Sequence, residues 1–268
     1  MTSKFRTTQI SNPEFESDHL RFITIKTANL QGRGDICVFV PPGKDLKDIP
    51  LVILLHGVYG SSWAWSLNGG VHRTAQKMML AKEMAPMVIA MPSDGLWGDG
   101  SGYTAHHGLD FEHWIVDDVP AAVIEHIEGV TEKSPRFIAG LSMGGFGALR
   151  LGIKYGARFR AISAHSAMTH FDQMKLFVEE PIAELMAHGA INEGIWDLVQ
   201  RAQGNLPPLR FDCGKQDQLL DYNRKLHAQL KTAGIPHGYE EFEGGHEWAY
   251  WQEHVKDSLR FFNTLGLK

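Results

Sequence analysis

Over most of the 268-residue chain, segments with a strand-like hydrophobic period alternate with segments with a helical one, and this alternation limits the possible folds more than any other feature. From Leu51 onward, short apolar and β-branched runs, typical of strands, alternate with longer segments in which apolar residues follow a helical period. This alternation predicts an α/β fold with a mostly parallel central sheet and helices on both faces. The strand candidates are residues 51–55, 87–91, 136–139, 159–164, 209–213 and 239–242, and the helix candidates are residues 71–84, 111–127, 144–155, 222–232 and 247–262.

Two segments depart from the alternation. Residues 20–25 and 36–40 are β-rich runs, and they predict an antiparallel pair before the parallel strands. Residues 166–208 form an unusually long connection that contains helix-like pieces. We expect this connection to be a short helical insertion above the sheet that forms part of the pocket wall. Because no repeat or low-complexity tract interrupts the pattern, residues 1–268 are predicted to form a single domain.

Composition and charge argue against several classes of function. The chain has 26 Lys and Arg against 31 Asp and Glu, a formal net charge of −5, and no basic block, so nucleic-acid binding is not expected. No apolar run reaches the roughly 20 residues of a membrane helix, and the first twenty residues do not resemble a signal peptide. We therefore expect a cytoplasmic protein without membrane contact. Cys37 and Cys213 lie in predicted strands and are expected to be buried core residues.

The strongest motif is Gly140-Leu141-Ser142-Met143-Gly144, which directly follows the strand candidate 136–139 and leads into a helix candidate. A nucleophile elbow requires this context, because it is a tight turn that presents a serine at the carboxyl edge of a sheet. Such a strained turn needs small residues two positions before and after the serine, and both are glycine. The motif predicts that Ser142 is a catalytic nucleophile. The alternative is a helix that Ser142 merely caps.

A serine hydroxyl is a weak nucleophile, so a base must accept its proton. In this fold the chain order is nucleophile, acid, histidine, and His246 lies in a glycine-rich loop between the last strand and helix candidates. The acid is expected just after strand 209–213, where Asp217 stands, and it would hold the imidazole in the required tautomer. Asp212 falls within the strand and Asp221 is expected to cap the next helix, so both are weaker candidates.

Further candidates should surround the serine. A tetrahedral intermediate needs two backbone donors for its oxyanion. We assign them to Met143, which follows the nucleophile, and to Val58, in the glycine-containing loop after the strand candidate 51–55. The residues predicted to contact substrate are Gly57, Trp97 and Trp248.

A histidine-rich segment contains side chains of the types that bind metal ions. It contains His106, His107, Asp110 and His113, but their spacing matches no recognised zinc pattern. We therefore predict neither a metal site nor a cofactor.

Four motifs together resemble a known family. The chain is similar, from about Phe22 to its C-terminus, to the esterase family of α/β-hydrolases that contains tributyrin esterases, carbohydrate acetyl esterases, feruloyl esterases and S-formylglutathione hydrolases. The motifs are His-Gly-Val-Tyr-Gly at 56–60, Gly-Leu-Ser-Met-Gly-Gly-Phe-Gly at 140–147, Cys-Gly-Lys-Gln-Asp at 213–217 and His-Glu-Trp-Ala-Tyr-Trp at 246–251. The last of them most resembles the tributyrin esterase branch.

The resemblance implies an α/β-hydrolase fold, a triad of Ser142, Asp217 and His246, hydrolysis of short-chain acyl esters without a cofactor, and frequent homo-oligomers. The leading hypothesis is a serine carboxylesterase that acts on small-molecule esters, among them acetylated carbohydrates, through an acyl-enzyme on Ser142. An S-formylglutathione-type thioesterase, a feruloyl esterase and an acyltransferase share the first half of this mechanism and stay open. A non-catalytic binding protein on this fold would usually lack a triad member, and here all three candidates are present.

Overall fold

A nine-stranded sheet organises the part of the chain that the structure describes. The computed structural model describes residues 3–43, 46–202 and 206–266. The sheet is accompanied by one separate two-stranded hairpin. In chain order the strands are β1 (Thr8–Ile10), β2 (Leu20–Thr27), β3 (Gly32–Phe39), β4 (Leu51–Leu55), β5 (Val88–Pro92), β6 (Ala105–His106), β7 (Leu109–Asp110), β8 (Arg136–Leu141), β9 (Ala161–His165), β10 (Leu209–Gly214) and β11 (Gly238–Phe242).

The strand order of the large sheet is β1-β2-β3-β5-β4-β8-β9-β10-β11, whereas β6 and β7 pair only with each other. β2 is antiparallel to both of its neighbours, β1 and β3, and β3 is antiparallel to β5. From β5 to β11 every neighbouring pair is parallel. This confirms the predicted parallel sheet and the antiparallel pair before it. The sequence does not predict β1, because three residues are too few to show a period.

Helices cover both faces of the large sheet. Within β4, Leu51, Ile53 and Leu55 pack into the core on one face of the sheet, whereas Val52 and Leu54 pack into the core on the other face. Strand side chains alternate between the two faces, so one strand contributes to both layers. The arrangement confirms the predicted α/β class. The helices are α1 (Val71–Leu80), α2 (Phe111–His113), α3 (Val119–His126), α4 (Ser142–Lys154), α5 (Ile182–Ala187), α6 (Ile195–Arg201), α7 (Leu220–Thr232) and α8 (Trp248–Gly266).

The helix predicted over residues 111–127 is confirmed over residues 111–126, but it is not α-helical throughout. A π-helical turn, Trp114–Asp118, separates α2 from α3. Pro120, near the start of α3, has no amide hydrogen to donate to the Val116 carbonyl, so regular helical bonding is interrupted. That carbonyl accepts a hydrogen bond from Arg158 Nη1 at 3.3 Å instead.

Other boundaries shift by a few residues. The helix predicted over 71–84 ends at Leu80, because Lys82 has a φ of 58°, which a right-handed helix cannot accommodate. The helix predicted over 144–155 begins at Ser142. Cys37 and Cys213 are buried and unpaired, as predicted. Over the described ranges, no helix combines the length and the apolar character needed to cross a membrane.

The connection between β9 and β10 contains a 3₁₀ helix, Phe171–Leu176, followed by α5 and α6. Residues 203–205 of this predicted insertion lie outside the described residues. The Asp99 amide donates to Glu180 Oε1 at 3.0 Å, and the Glu179 amide donates to Asp99 Oδ2 at 2.8 Å. These bonds hold the helical insertion against the loop that follows the carboxyl end of β5.

Candidate active site

The motif serine lies at a sharp turn between β8 and α4. Ser142 has a φ of 54° and directly follows the last residue of β8. A Cβ atom on Gly140 would lie 2.2 Å from the Gly144 carbonyl oxygen, and one on Gly144 would lie 2.4 Å from the His56 carbonyl oxygen. Both positions therefore require glycine. Leu141 occupies the N-cap position of α4 without a side-chain hydrogen bond, so the alternative of Ser142 as a capping residue is wrong.

Ser142, His246 and Asp217 form a hydrogen-bonded row. His246 Nε2 lies 2.9 Å from Ser142 Oγ, and His246 Nδ1 lies 2.9 Å and 3.1 Å from the two carboxylate oxygens of Asp217. When Nδ1–H donates to the carboxylate, Nε2 is left as an acceptor for the serine hydroxyl. The structure thus brings together three residues that follow three different strands, β8, β10 and β11.

The environment of Asp217 favours its ionised form. The side chain is buried, and its Oδ1 also accepts the Leu219 amide at 2.8 Å. Burial opposes the negative charge, but the hydrogen bond and charge of His246, together with the Leu219 amide, outweigh burial and lower the pKa of Asp217. An ionised carboxylate at this position can hold the Nδ1–H tautomer and stabilise the imidazolium form of His246.

The two other aspartates considered for this position lie elsewhere. Asp212 is fully buried within β10, where its carboxylate contacts His165 Nδ1 at 2.9 Å. Asp221 lies in the first turn of α7 with its side chain 93% exposed. The prediction that Asp221 caps this helix is wrong, because Leu219 is the N-cap residue and the Asp217 carboxylate accepts its amide.

Aromatic rings contact His246 on two sides. Phe177 stacks on the imidazole with ring centroids 5.1 Å apart, and Trp251 lies edge-on to it at 5.0 Å. Sequence reasoning misses Phe177 because it belongs to no motif and lies in the insertion. Trp248 packs edge-on against Trp65 at 5.6 Å and Trp251 at 5.4 Å. Its contact with substrate stays a prediction.

The loop after β4 approaches Ser142 closely. A Cβ atom on Gly57 would lie 2.8 Å from Leu141 Cδ1 and 3.3 Å from Ser142 Cβ, so glycine is needed for this approach. Within the described part of the chain, no acceptor takes a hydrogen bond from the Val58 amide. The Met143 amide lies in the first turn of α4, where helix amides have no partner within the helix. Both amides are therefore available to an acceptor beside the serine.

His56 holds the shape of this loop, a role that the motif at 56–60 does not reveal. Its ring is 2% exposed, and its Nε2 accepts the Asp94 amide at 3.0 Å. Its Nδ1 therefore carries the hydrogen and donates to the Gly57 carbonyl oxygen at 2.7 Å. A Cβ atom on Gly60 would lie 2.3 Å from that nitrogen. The histidine thus links the loop after β4 to the loop after β5.

The loop after β5 carries Trp97 and packs against the same region. A Cβ atom on Gly100 would lie 2.5 Å from Met143 Sδ, which shows how closely this loop contacts the first turn of α4. Trp97 is half-buried, and its ring centroid lies 4.6 Å from that of His106 and 4.7 Å from that of His107. A contact between Trp97 and substrate stays a prediction.

The known proteins to which this chain is similar are esterases and a related hydrolase. Residues 27–262 match a family model named Esterase and described as “Putative esterase”. An acetyl esterase of Caldicellulosiruptor saccharolyticus is 26% identical over 242 residues, which cover 83% of this chain and 86% of that protein. A ferulic acid esterase structure superposes with a TM-score of 0.78 at 24% identity, over 97% of this chain and 99% of its own. S-formylglutathione hydrolase FrmB from Staphylococcus aureus has a TM-score of 0.75 at 18% identity, over 94% and 98% of the two chains.

At these identities the solved structures show a shared fold, which confirms the predicted α/β-hydrolase architecture. The likeness is to the family as a whole and does not single out the tributyrin esterase branch. Because the family match extends from residue 27 to residue 262, the chain belongs to the esterase family and is a carboxylic ester hydrolase.

Proposed function

We propose that the protein is a serine carboxylesterase that cleaves short-chain acyl esters through an acyl-enzyme on Ser142. The observation that carries the proposal is the row of Ser142, His246 and Asp217, in which neighbouring side chains approach to 2.9 Å. The row lies at the carboxyl edge of the parallel strands, where α/β folds place their sites. Membership of the esterase family supports an ester as the bond that is cleaved.

The geometry supports two half-reactions. In the first, His246 Nε2 takes the proton of Ser142 as Oγ attacks the ester carbonyl carbon, and Asp217 stabilises the imidazolium. The amides of Val58 and Met143 would donate to the oxyanion. His246 then gives the proton to the leaving alcohol, and the acyl group remains on Ser142. In the second half-reaction, His246 removes a proton from water, which attacks the acyl carbon and releases the acid.

A short acyl group fits the close packing around Ser142. The serine is 1% exposed, and the side chains of its neighbours Leu141 and Met143 are buried. A Cβ atom on Gly145, one turn into α4, would lie 2.8 Å from Ala167 Cβ. The relative from Caldicellulosiruptor saccharolyticus is named an acetyl esterase, which agrees with a small acyl group. Acetylated carbohydrates are one class of substrate to test.

An organophosphonate label read by intact-protein mass spectrometry tests the acyl-enzyme route. We expect one adduct per chain, mapped to Ser142, because its Oγ lies 2.9 Å from the base His246 Nε2. Ser142→Ala should lose both the adduct and the hydrolysis of p-nitrophenyl acetate while keeping the thermal stability of the wild type. The matched control is Ser61→Ala, a half-buried serine in the loop after β4, which should keep both.

Labelling at a different serine, or full hydrolysis by Ser142→Ala, would contradict the proposal. A panel of acetylated sugars, feruloyl esters and a glutathione thioester then compares the classes of substrate. The highest kcat/KM on the thioester or on feruloyl esters would replace the short-chain carboxylesterase assignment with that activity.

A further inference from the structure

Two histidines and a glutamate meet where the insertion contacts the β6–β7 hairpin. One imidazole nitrogen each from His107 and His188 and one carboxylate oxygen of Glu184 lie within 4.8 Å of one another. The two imidazole rings stack with centroids 4.1 Å apart. Glu184 and His188 are exposed and His107 is half-buried, so this cluster is open to solvent. The insertion and the hairpin are also joined by the His107 amide, which donates to the His188 carbonyl oxygen at 2.8 Å.

His107 occupies the tip of a two-residue hairpin turn. β6 and β7 are connected by His107 and Gly108, whose φ angles are 52° and 73°. Two consecutive positive φ values characterise a type I′ turn, in which glycine is favoured and histidine is among the other residues that adopt a positive φ. The turn projects the His107 imidazole towards the insertion.

A chain of hydrogen bonds determines which nitrogen of His107 is available. His106 Nε2 lies 3.0 Å from the Ser101 carbonyl oxygen, which can only accept, so Nε2 carries the hydrogen. In an imidazole whose Nε2 carries the hydrogen, the other nitrogen, Nδ1, is an acceptor. His107 Nδ1 lies 3.0 Å from it and therefore donates. This leaves His107 Nε2 with a free lone pair, which is the form of imidazole that binds a metal ion.

The other two side chains come from α5 and from its C-cap residue, His188. Glu184 and His188 are four residues apart, a spacing that places side chains on the same face of a helix. The Ala190 amide donates to the Leu185 carbonyl oxygen at 2.9 Å, which is the closing bond of a Schellman motif. This motif fixes the last turn of α5 and with it the position of His188.

We propose that His107, Glu184 and His188 bind a zinc ion, with water as the fourth ligand. Two imidazoles and one carboxylate suit Zn²⁺, whereas Mg²⁺ and Ca²⁺ prefer oxygen ligands alone. Ligand bonds of about 2 Å place two donors of a tetrahedral ion about 3.3 Å apart. The donor atoms lie within 4.8 Å of one another, and zinc binding would require the exposed Glu184 and His188 side chains to rotate so that the stacked imidazoles turn their nitrogens towards one ion.

A bound zinc ion would link the insertion to the β6–β7 hairpin and, through it, to the loop after β5. The His107 ring packs against Trp97 at 4.7 Å, and His106 bonds to Ser101 in the same loop. Zinc would therefore stabilise a wall of the predicted pocket, whereas ester cleavage is assigned to the separate row of Ser142, His246 and Asp217. The zinc site is independent of the proposed function, because none of its three ligands belongs to that row.

Isothermal titration of the full, tag-free chain with ZnCl₂, after treatment with EDTA, tests the site. We expect one Zn²⁺ per chain and a rise in the midpoint of thermal unfolding on adding Zn²⁺. Glu184→Gln and His188→Ala each remove one ligand and should weaken zinc binding at least tenfold and abolish the rise. His19→Ala, an exposed histidine on a different part of the surface, is the matched control and should bind zinc as the wild type does.

The side chains of Glu184 and His188 are exposed, so Glu184→Gln and His188→Ala should unfold at the wild-type temperature in EDTA. Co²⁺ provides a second readout, because a tetrahedral site with nitrogen and oxygen ligands gives visible absorption bands, which Glu184→Gln and His188→Ala should lose. The absence of saturable zinc binding would overturn the proposal. Equal zinc affinity in the wild type, Glu184→Gln and His188→Ala would also overturn it, because the ion would then bind elsewhere.

Discussion

Among single residues, a second histidine–aspartate pair shows what distinguishes the candidate site. His165 Nδ1 lies 2.9 Å from the Asp212 carboxylate, and His165 Nε2 lies 2.7 Å from Ser258 Oγ. Burial opposes charge on Asp212, but His165 and Arg210 outweigh it and lower the pKa of Asp212. The three groups repeat the chemical order of the candidate triad, yet the His165 side chain is fully buried, whereas the His246 side chain is 17% exposed. Their place is in the packing of β9 and β10 against α8.

The residue-scale prediction concerns Asp217→Asn. Turnover should fall by about 10⁴, the loss that this change causes in serine proteases, because asparagine does not hold the imidazole in the reactive tautomer. Steady-state kinetics with p-nitrophenyl acetate measures the fall, and thermal unfolding checks the fold. Asp212→Asn is the comparison: it removes one partner of a buried pair and should cost about 3–5 kcal/mol of stability. Wild-type turnover in Asp217→Asn would show that Asp217 is not the catalytic acid.

Among elements, the insertion between β9 and β10 is held at several points along its length. Phe177 stacks on His246, and Glu180 accepts the Asp99 amide. Farther along, Glu193 lies 3.5 Å from Arg150 on α4. A segment attached at three separated points differs from a lid that is hinged only at its ends. We therefore expect the insertion to be a fixed wall beside Ser142.

The prediction at this scale concerns the length of the acyl chain. A methylene that is buried on binding contributes about 0.8 kcal/mol, so a deep pocket makes kcat/KM rise with chain length, whereas a shallow one stops rising after a few carbons. For p-nitrophenyl esters we expect kcat/KM to peak between acetate and butyrate and to fall steeply by octanoate, without activation at a lipid–water interface. A maximum at octanoate or beyond, or interfacial activation, would show that the insertion covers a long acyl tunnel.

At the scale of the whole molecule, a buried charged cluster joins α2, α4 and the insertion. The Arg150 guanidinium is buried and pairs with the carboxylates of Glu112 and Glu193. Burial works against the charge of Glu112, but Arg150, Lys154 and Tyr155 outweigh it and lower the pKa of Glu112 to about 2. The ionised form of Glu112 is therefore coupled to the folded state.

This coupling predicts how stability depends on pH. Because the folded pKa of Glu112 lies below its ordinary 4.5, its contribution is complete above that pH and is lost as the pH falls from 4.5 towards 2. Glu112→Gln should lower the free energy of unfolding by about 3 kcal/mol near neutral pH, and the difference from the wild type should shrink towards acid pH. Urea unfolding at a series of pH values measures it. Glu14→Gln, at an exposed site, is the control, and a difference that does not change with pH would contradict the assignment.

The parallel sheet, the nucleophile elbow and the chain order of the triad candidates can all be predicted from the amino-acid sequence. The alternation of strand-like and helical hydrophobic periods predicts strands such as β4 and β8, because the spacing of apolar residues within a segment indicates which of its faces are buried. The elbow at Ser142 is equally local, since Gly140 and Gly144 are required by contacts within a few residues and with the adjacent strand. The helix over 111–127 shows the limit of this reasoning, because the apolar pattern predicts the helix but not the π-helical turn just before Pro120.

Only the tertiary structure decides which of these residues meet. It places Asp217 rather than Asp212 or Asp221 at His246, and it stacks Phe177 on the same ring. It also brings His107 to His188 across a long stretch of chain. These contacts arise where loops and the insertion pack at the carboxyl edge of the sheet. Apolar periodicity describes how an element packs against its neighbours, whereas the direction of a loop depends on backbone conformations and hydrogen bonds between segments distant in sequence.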